Sequence, residues 1–487
     1  MAWWQNAVLY QIYPRSFLDT DGDGVGDLEG IRAKLPYLRW LGVDGVWLSP
    51  IYRSPMADFG YDVSDHCAVD PTFGDLDRFD ALLAGAHGQG LKVMLDWVPN
   101  HTSDRHPWFV ESRSSRESAK RDWYFWRDGR GPGEPPNNWR AAFGGRAWTW
   151  DDATLQWYLH LFLPEQPDLN WANPEVVEAM HGVLRFWLDR GVDGFRADVI
   201  HLIGKDADLP DQPPELAEID LVGVHDHPSA HPLLRGIRHV LDSYDGDRVM
   251  VGEVNLGSPA LLAPYYGAGD ELHMVFNFSL LWARWDAAAW VERIAESEAA
   301  LSPAGAWPVW VLSNHDTPRH RTRYGGTEAR ARVAATVLLT LRGTPFLYAG
   351  EELGLEDAAV PEDRRVDPGG RDGCRAPIPW DDSPGHGWAG EPWLPWAPEP
   401  AARSAGVLSG NVDSIVHLYR RLLAARRASP ALHAGEWEQL EAPAGVVAYE
   451  RRAGDDRRRV WANFGDEPAT CAGGWTVEVA TRRGGEG

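Results

Sequence analysis

Basic residues are scarce in this chain, cysteines scarcer still, and long apolar runs are absent. Lys and Arg number 47 against 71 Asp and Glu, a formal net charge of −24 over 487 residues. Phosphate-rich partners, nucleic acids and anionic membrane surfaces alike, are repelled by such a surplus. The three cysteines, Cys67, Cys374 and Cys471, are odd in number, far apart and form no C-x-x-C pair. That usage excludes a disulfide framework and a thiolate zinc site, and fits thiols in a reducing compartment. No apolar run reaches the roughly 18 residues of a membrane span. The opening stretch MAWWQNAVLYQIYPRSF carries no basic segment, apolar core or small-residue cleavage site. The expectation is a cytoplasmic protein. No G-x-G-x-x-G follows the first candidate strand, which removes a dinucleotide-binding open sheet.

What the chain does have is alternation. Short apolar runs (AVLYQIY, DGVWLSP, LKVMLDWV, VDGFRADV, RVMVGEV, LHMVFNF, WPVWVLS, TPFLYAG) alternate with amphipathic helical segments, several of which stop at a glycine such as Gly42, Gly90 or Gly191. Eight such units, with strands apolar on both faces, specify an α/β fold: a (β/α)8 barrel with helices outside. The unit after the third strand is interrupted by about seventy residues rich in Trp, Gly and Pro, too many for an ordinary loop and therefore an inserted subdomain. The chain divides into a first barrel part (1–100), the insertion (101–169), a second barrel part (170–429, irregular at about 355–405) and a small C-terminal antiparallel β domain (430–487), where VVAYERR and RRVWANF alternate in polarity. The 26 Trp residues suit stacking on sugar rings as well as packing.

Three of the apolar runs lead into a carboxylate: Asp198 in GVDGFRADV, Glu253 in RVMVGEV and Asp316 in PVWVLSNHD. A carboxylate beside a buried run is costly to desolvate and is tolerated where a strand opens onto a cleft. His101, Arg196 and His315 occupy comparable strand ends, so the set points to one converging polar site and to a carbohydrate-cleaving enzyme. Arg196, two residues before Asp198, falls on the same inward face of its strand.

The motifs GYDV (60–63), DWVPNH (96–101), GFRADV (194–199), GEV (252–254) and SNHD (313–316) resemble, in order and spacing, the signature regions of the α-amylase superfamily of glycoside hydrolases. QPDLN (166–170) is similar to the extra signature of its oligo-1,6-glucosidase and α-glucosidase branch. The resemblance spans essentially the whole chain and implies a retaining α-glycosidase. Such an enzyme uses one carboxylate as nucleophile and a second carboxyl, about 5 Å away, as acid and then base. By resemblance Asp198 is the nucleophile, Glu253 the acid/base and Asp316 the third acid that grips the sugar hydroxyls. Arg196 holds Asp198 ionised, His101 and His315 donate to the reacting glucose, and Tyr61 stacks beneath it. Asp58 and Arg375 match the pair that closes the pocket behind the terminal glucose, and Phe162 and Gln166 line the first subsites. The resemblance implies an exo-acting α-glucosidase on short oligosaccharides; a transglucosylase or sucrose isomerase on the same scaffold is the alternative. His201-Leu202 replaces the Lys-His pair usual in endo-amylases. Val199, beside the nucleophile, goes with α-1,6 bonds in that branch, although the loop 204–228 departs from it.

After the first strand comes Asp19-Thr-Asp-Gly-Asp-Gly-Val-Gly-Asp27. Asp19, Asp21, Asp23, the Val25 carbonyl and Asp27 stand at the alternating ligand places of a calcium loop, with Gly24 at the turn. Gly30 replaces the bidentate Glu of an EF-hand. The family carries such a loop with a structural Ca²⁺ or Mg²⁺ remote from catalysis, and the expectation is the same here.

Overall fold

The computed structural model of the protein describes residues 2–131, 133–216, 218, 225–471 and 474–481. Its frame is eight short parallel strands: β1 (Leu9–Ile12), β2 (Gly45–Leu48), β3 (Lys92–Trp97), β4 (Gly194–Ala197), β5 (Val249–Gly252), β6 (Met274–Val275), β7 (Val309–Val311) and β8 (Thr344–Tyr348). They lie in the order β6-β5-β4-β3-β2-β1-β8-β7. An isolated parallel bridge between Asn277 and Trp310 brings the two ends together, making a near-closed barrel. Every strand falls inside a run read from the sequence.

The period-two alternation of strands sorts their side chains. Leu9, Trp47, Met94, Val249, Val251, Met274, Val309, Val311 and Phe346 point inward as one cluster, while neighbours such as Tyr10, Val93, Leu95 and Leu347 join the larger layer between strands and helices. Burial on both faces is why these strands read as continuous apolar runs. At the foot of β4 the backbones approach so closely that a Cβ on Gly194 would come 2.4 Å from the Val249 carbonyl oxygen. The helix Leu28–Leu41 starts on the Asp27 carboxylate, which accepts from Gly30 N–H, and ends at Gly42 with φ +103°. A left-handed terminus of that kind favours glycine.

The insertion carries its own antiparallel sheet (Trp126–Arg127, Gln156–Leu159, Trp148–Asp151), packed around Phe125, Trp139, Trp148, Trp157 and Leu159, with Val199 and Phe162 at its edge. The C-terminal sheet has three antiparallel strands, Glu436–Gln439, Val446–Ala453 and Asp456–Asn463; the first was not anticipated, because EWEQ has too little apolar character to stand out. Among the described residues no helix is long and apolar enough to cross a membrane.

Candidate active site

The polar residues gather at the C-terminal mouth of the barrel, where strands hand over to loops. Arg196, in β4 and 3 % exposed, is the centre. Its Nη1 donates to Asp198 Oδ1 at 2.6 Å and to Asp96 Oδ1 at 2.8 Å, and its Nη2 donates to Glu253 Oε2 at 2.5 Å. Asp198 directly follows β4 and Glu253 directly follows β5. Suspension from the two terminal nitrogens of one guanidinium fits the separation of about 5 Å that retention of configuration needs. Asp96 also accepts from Trp47 Nε1 and from the Tyr61 hydroxyl. Three carboxylates here share one cation. Burial pushes Asp96 up to about 6 against the pull of Arg196. Burial also raises Asp198, Arg196 opposing and Glu253 and Asp96 adding to it. Three carboxylates on one guanidinium leave the cluster net negative, which works with burial to raise Asp96 and Asp198.

A second cluster adjoins it. Asp316 Oδ1 accepts from Arg371 Nη1 at 3.0 Å and Arg375 Nη2 at 3.3 Å, and Oδ2 lies 3.2 Å from His315 Nε2. Burial works against its charge, yet His315, Arg371 and Arg375 hold Asp316 well below the usual carboxylate range. Gln11 Nε2 lies 2.7 Å from His315 Nδ1. That amide donor leaves the ring hydrogen on Nε2, facing Asp316 and the Tyr61 hydroxyl, which is 2.6 Å away. Burial keeps His315 neutral, with a pKa of about 3. Tyr61 stacks on its ring at 5.4 Å.

The far wall comes from the loop after β2, the insertion and the loop after β8. Asp58 accepts from Gln166 Nε2 at 3.1 Å, and the same nitrogen lies 3.1 Å from His101 Nε2. Phe162 packs on His101 with ring centres 5.1 Å apart. Here the structure departs from expectation: the partner of Asp58 is Arg371, at 2.6 Å, not Arg375. Arg371 also forks onto Asp367 and lies over the Phe143 ring at 5.4 Å. Arg375 is fully buried behind it, donating to the His315 carbonyl and to Asp367. With no exposed surface of its own, it braces the wall from within, holding Asp367, Asp316 and the His315 carbonyl. Sequence reasoning thus missed Arg371, only one helical turn before the arginine it selected. It also missed Asp96, which opens the quoted motif DWVPNH, as well as Asp367 and Phe143. Lys205 was missed too: its buried ammonium ties Asp168 of QPDLN (2.9 Å) to Asn100 beside His101 (2.9 Å). In the loop 204–228, residues 217 and 219–224 lie outside the described residues.

Away from the cleft, the carboxylates of Asp19, Asp21 and Asp27 bring ligand oxygens within 4.8 Å of one another. Asp23 is close enough that, after burial, Asp21, Asp19 and Asp27 raise its pKa. Val25 follows it in the same loop with its N–H on Asp23 Oδ1. Three converging carboxylates suit a hard divalent cation.

Residues 11–435 match the catalytic domain of α-amylase. The chain is 44% identical to a probable α-glucosidase of Rhizobium meliloti (strain 1021), covering 96% of this chain and 90% of that protein. It is 38% identical to an oligo-1,6-glucosidase of Parageobacillus thermoglucosidasius, over 96% and 91%. Among solved structures, that of an α-glucosyl transfer enzyme, XgtA, superposes with a TM-score of 0.93 at 44% identity, covering 98% of this chain and 94% of that one.

Proposed function

The chain belongs to the α-amylase catalytic-domain family, and from that membership we propose that it is a retaining, exo-acting α-glucosidase releasing glucose from the non-reducing end of short α-glucosides. The observation that carries this is the pairing of Asp198 and Glu253 on one guanidinium, with a blind wall of Asp58, Arg371 and Phe143 close by. A carboxylate oxygen of Asp198 attacks the anomeric carbon while Glu253 gives its proton to the departing glycosidic oxygen; the C–O bond breaks and a β-glucosyl ester forms. Water then loses a proton to Glu253, attacks the same carbon and frees Asp198. Asp316, His315, His101 and Gln166 grip the hydroxyls of the reacting glucose, and the Asp58–Arg371 pair leaves no room for a further sugar behind it. The test is digestion of maltoheptaose blocked at its non-reducing end: an exo enzyme leaves it intact while freeing glucose from the unblocked chain, and rapid internal cleavage overturns the reading.

Likeness to an α-glucosyl transfer enzyme favours a second outcome for the same intermediate, capture by a sugar hydroxyl instead of water. Concentrated maltose distinguishes the two by its products. For linkage, Val199 supports acceptance of α-1,6 bonds. Its methyl groups border the leaving sugar, and a small steric difference of that kind is worth about 1–3 kcal/mol. Val199→Ala should then move the kcat/KM ratio of isomaltose to maltose toward maltose; an unmoved ratio removes the role. The Asp19–Asp27 loop is read as a structural Ca²⁺ or Mg²⁺ site, held by Asp19, Asp21, Asp23, the Val25 carbonyl and Asp27, and supported by the three converging carboxylates. The cytoplasm is the proposed compartment, in keeping with the free thiols of Cys67 and Cys374.

A further inference from the structure

Val199 has φ +36° and ψ +41°, a left-handed backbone that a β-branched residue rarely adopts and that persists only where the surroundings impose it. The surroundings are on both sides. Asp198 N–H is fixed on the Trp97 carbonyl at 2.8 Å, and Ile200 N–H on the Glu253 carbonyl at 3.1 Å. Residue 199 must turn sharply between β3 and β5, and the turn aims its own N–H at Glu253 Oε2, 3.2 Å away. That oxygen already accepts from Arg196 Nη2. Oε2 therefore has two donors, while Oε1 receives no hydrogen bond among the described residues. A carboxyl group whose one oxygen is saturated with donors carries its hydrogen on the other.

We propose that the left-handed turn at Val199 is a positioning device for the acid/base: its N–H, with Arg196, fixes Oε2 as the acceptor oxygen and commits Oε1 to carrying the proton. In the first step that proton passes from Oε1 to the glycosidic oxygen as the C1–O bond breaks and the bond from Asp198 to C1 forms. In the second, Oε1 takes a proton from water as the ester opens. The inference rests on the α-glucosidase reading. It gives the residue after the nucleophile a main-chain role that is separate from the volume of its side chain.

Misplacing an acid injures departures that need protonation and spares those that do not. The experiment replaces the 199 peptide N–H by an ester oxygen, through incorporation of α-hydroxyvaline, and measures kcat/KM across aryl α-glucosides of graded leaving-group acidity. The expected result is a loss of about tenfold for the poorest leaving groups and less than twofold for the best, so that the dependence on leaving-group acidity steepens. Val199→Gly retains the N–H and fits the left-handed turn, and should leave that dependence as steep as in the wild type whatever it does to binding. A uniform loss across the series, or a steepening equal in Val199→Gly, overturns the proposal alone. A wild type inert toward every α-glucoside overturns the glucosidase reading and the proposal with it.

Discussion

Two buried carboxylate clusters meet at the mouth of the barrel, and they differ in how many cations serve them. Around Arg196, three carboxylates (Asp96, Asp198, Glu253) share one guanidinium. Around Arg371 and Arg375, three (Asp58, Asp316, Asp367) share two. Burial opposes ionisation in both. In the first it prevails, and Asp96 and Asp198 are pushed up. In the second, Asp316 and Asp367, each held by both arginines, fall below the usual range despite burial, while Asp58, paired with Arg371 alone, stays raised. The number of arginine partners separates the carboxylates that burial raises, Asp96, Asp198 and Asp58, from Asp316 and Asp367, which two arginines hold low.

The comparison breaks most readily at Asp198, the proposed nucleophile. Asp198→Asn removes covalent catalysis and should cut kcat by at least about a thousandfold; near-normal glucose release from isomaltose would move the chemistry out of the Arg196 cluster. Next in size is the arginine that faces the cleft. Arg371→Ala leaves Asp58 short of a cation in a buried wall, a loss on the order of 3 kcal/mol, and should lower kcat/KM by about a hundredfold with KM affected most. Arg375→Lys should act on thermal stability more than on KM, and the reverse ranking would restore Arg375 as the partner of Asp58.

A smaller effect distinguishes the clusters by the sign of their pH dependence. The folded-state pKa of Asp96, about 6, lies above the unfolded value of about 3.9. Its contribution is thus complete below about pH 4 and is lost as pH rises through 6. Asp316 is shifted the other way: its contribution is present above about pH 4 and is lost as pH falls. The Tm of Asp96→Asn relative to wild type should climb between pH 4 and 7, whereas that of Asp316→Asn should stay level there and climb only as pH falls below about 4. Parallel trends would mean that the clusters do not differ in protonation. Least of all should the cleft feel the Asp19–Asp27 loop: chelation is expected to lower Tm by a few degrees with kcat nearly unchanged, and a metal-free protein with unaltered Tm would remove the ion.

The barrel was legible in the sequence because its signal is local: each strand is an apolar run and each helix has a 3.6-residue face. That Asp198, Glu253 and Asp316 would meet at the mouth of the barrel was legible for the same reason, each sitting beside such a run. Asp96 was not singled out, since it lies inside its run rather than beyond it and so looked like part of the strand. Arg371 was passed over for a different cause. In GRDGCR two arginines stand four apart on a chain with no regular structure to say which faces inward, and the short 3-10 turn Asp372–Arg375 that buries the second has no sequence period. Val199 was read for its side chain alone, because a left-handed backbone under a β-branched residue is imposed by contacts from β3 and β5 that no local pattern encodes.

The ring of strands closes through a thin joint. β6 spans two residues and reaches β7 through the Asn277–Trp310 bridge, whereas β2 and β3 pair along four positions. Cooperativity is lowest where pairing is shortest, so opening should begin at this joint. It runs between β6, the neighbour of the strand that leads to Glu253, and β7, which leads to Asp316. On warming, such a barrel would part first beside the strand of Asp316, while Asp198 and Glu253 still hang from Arg196.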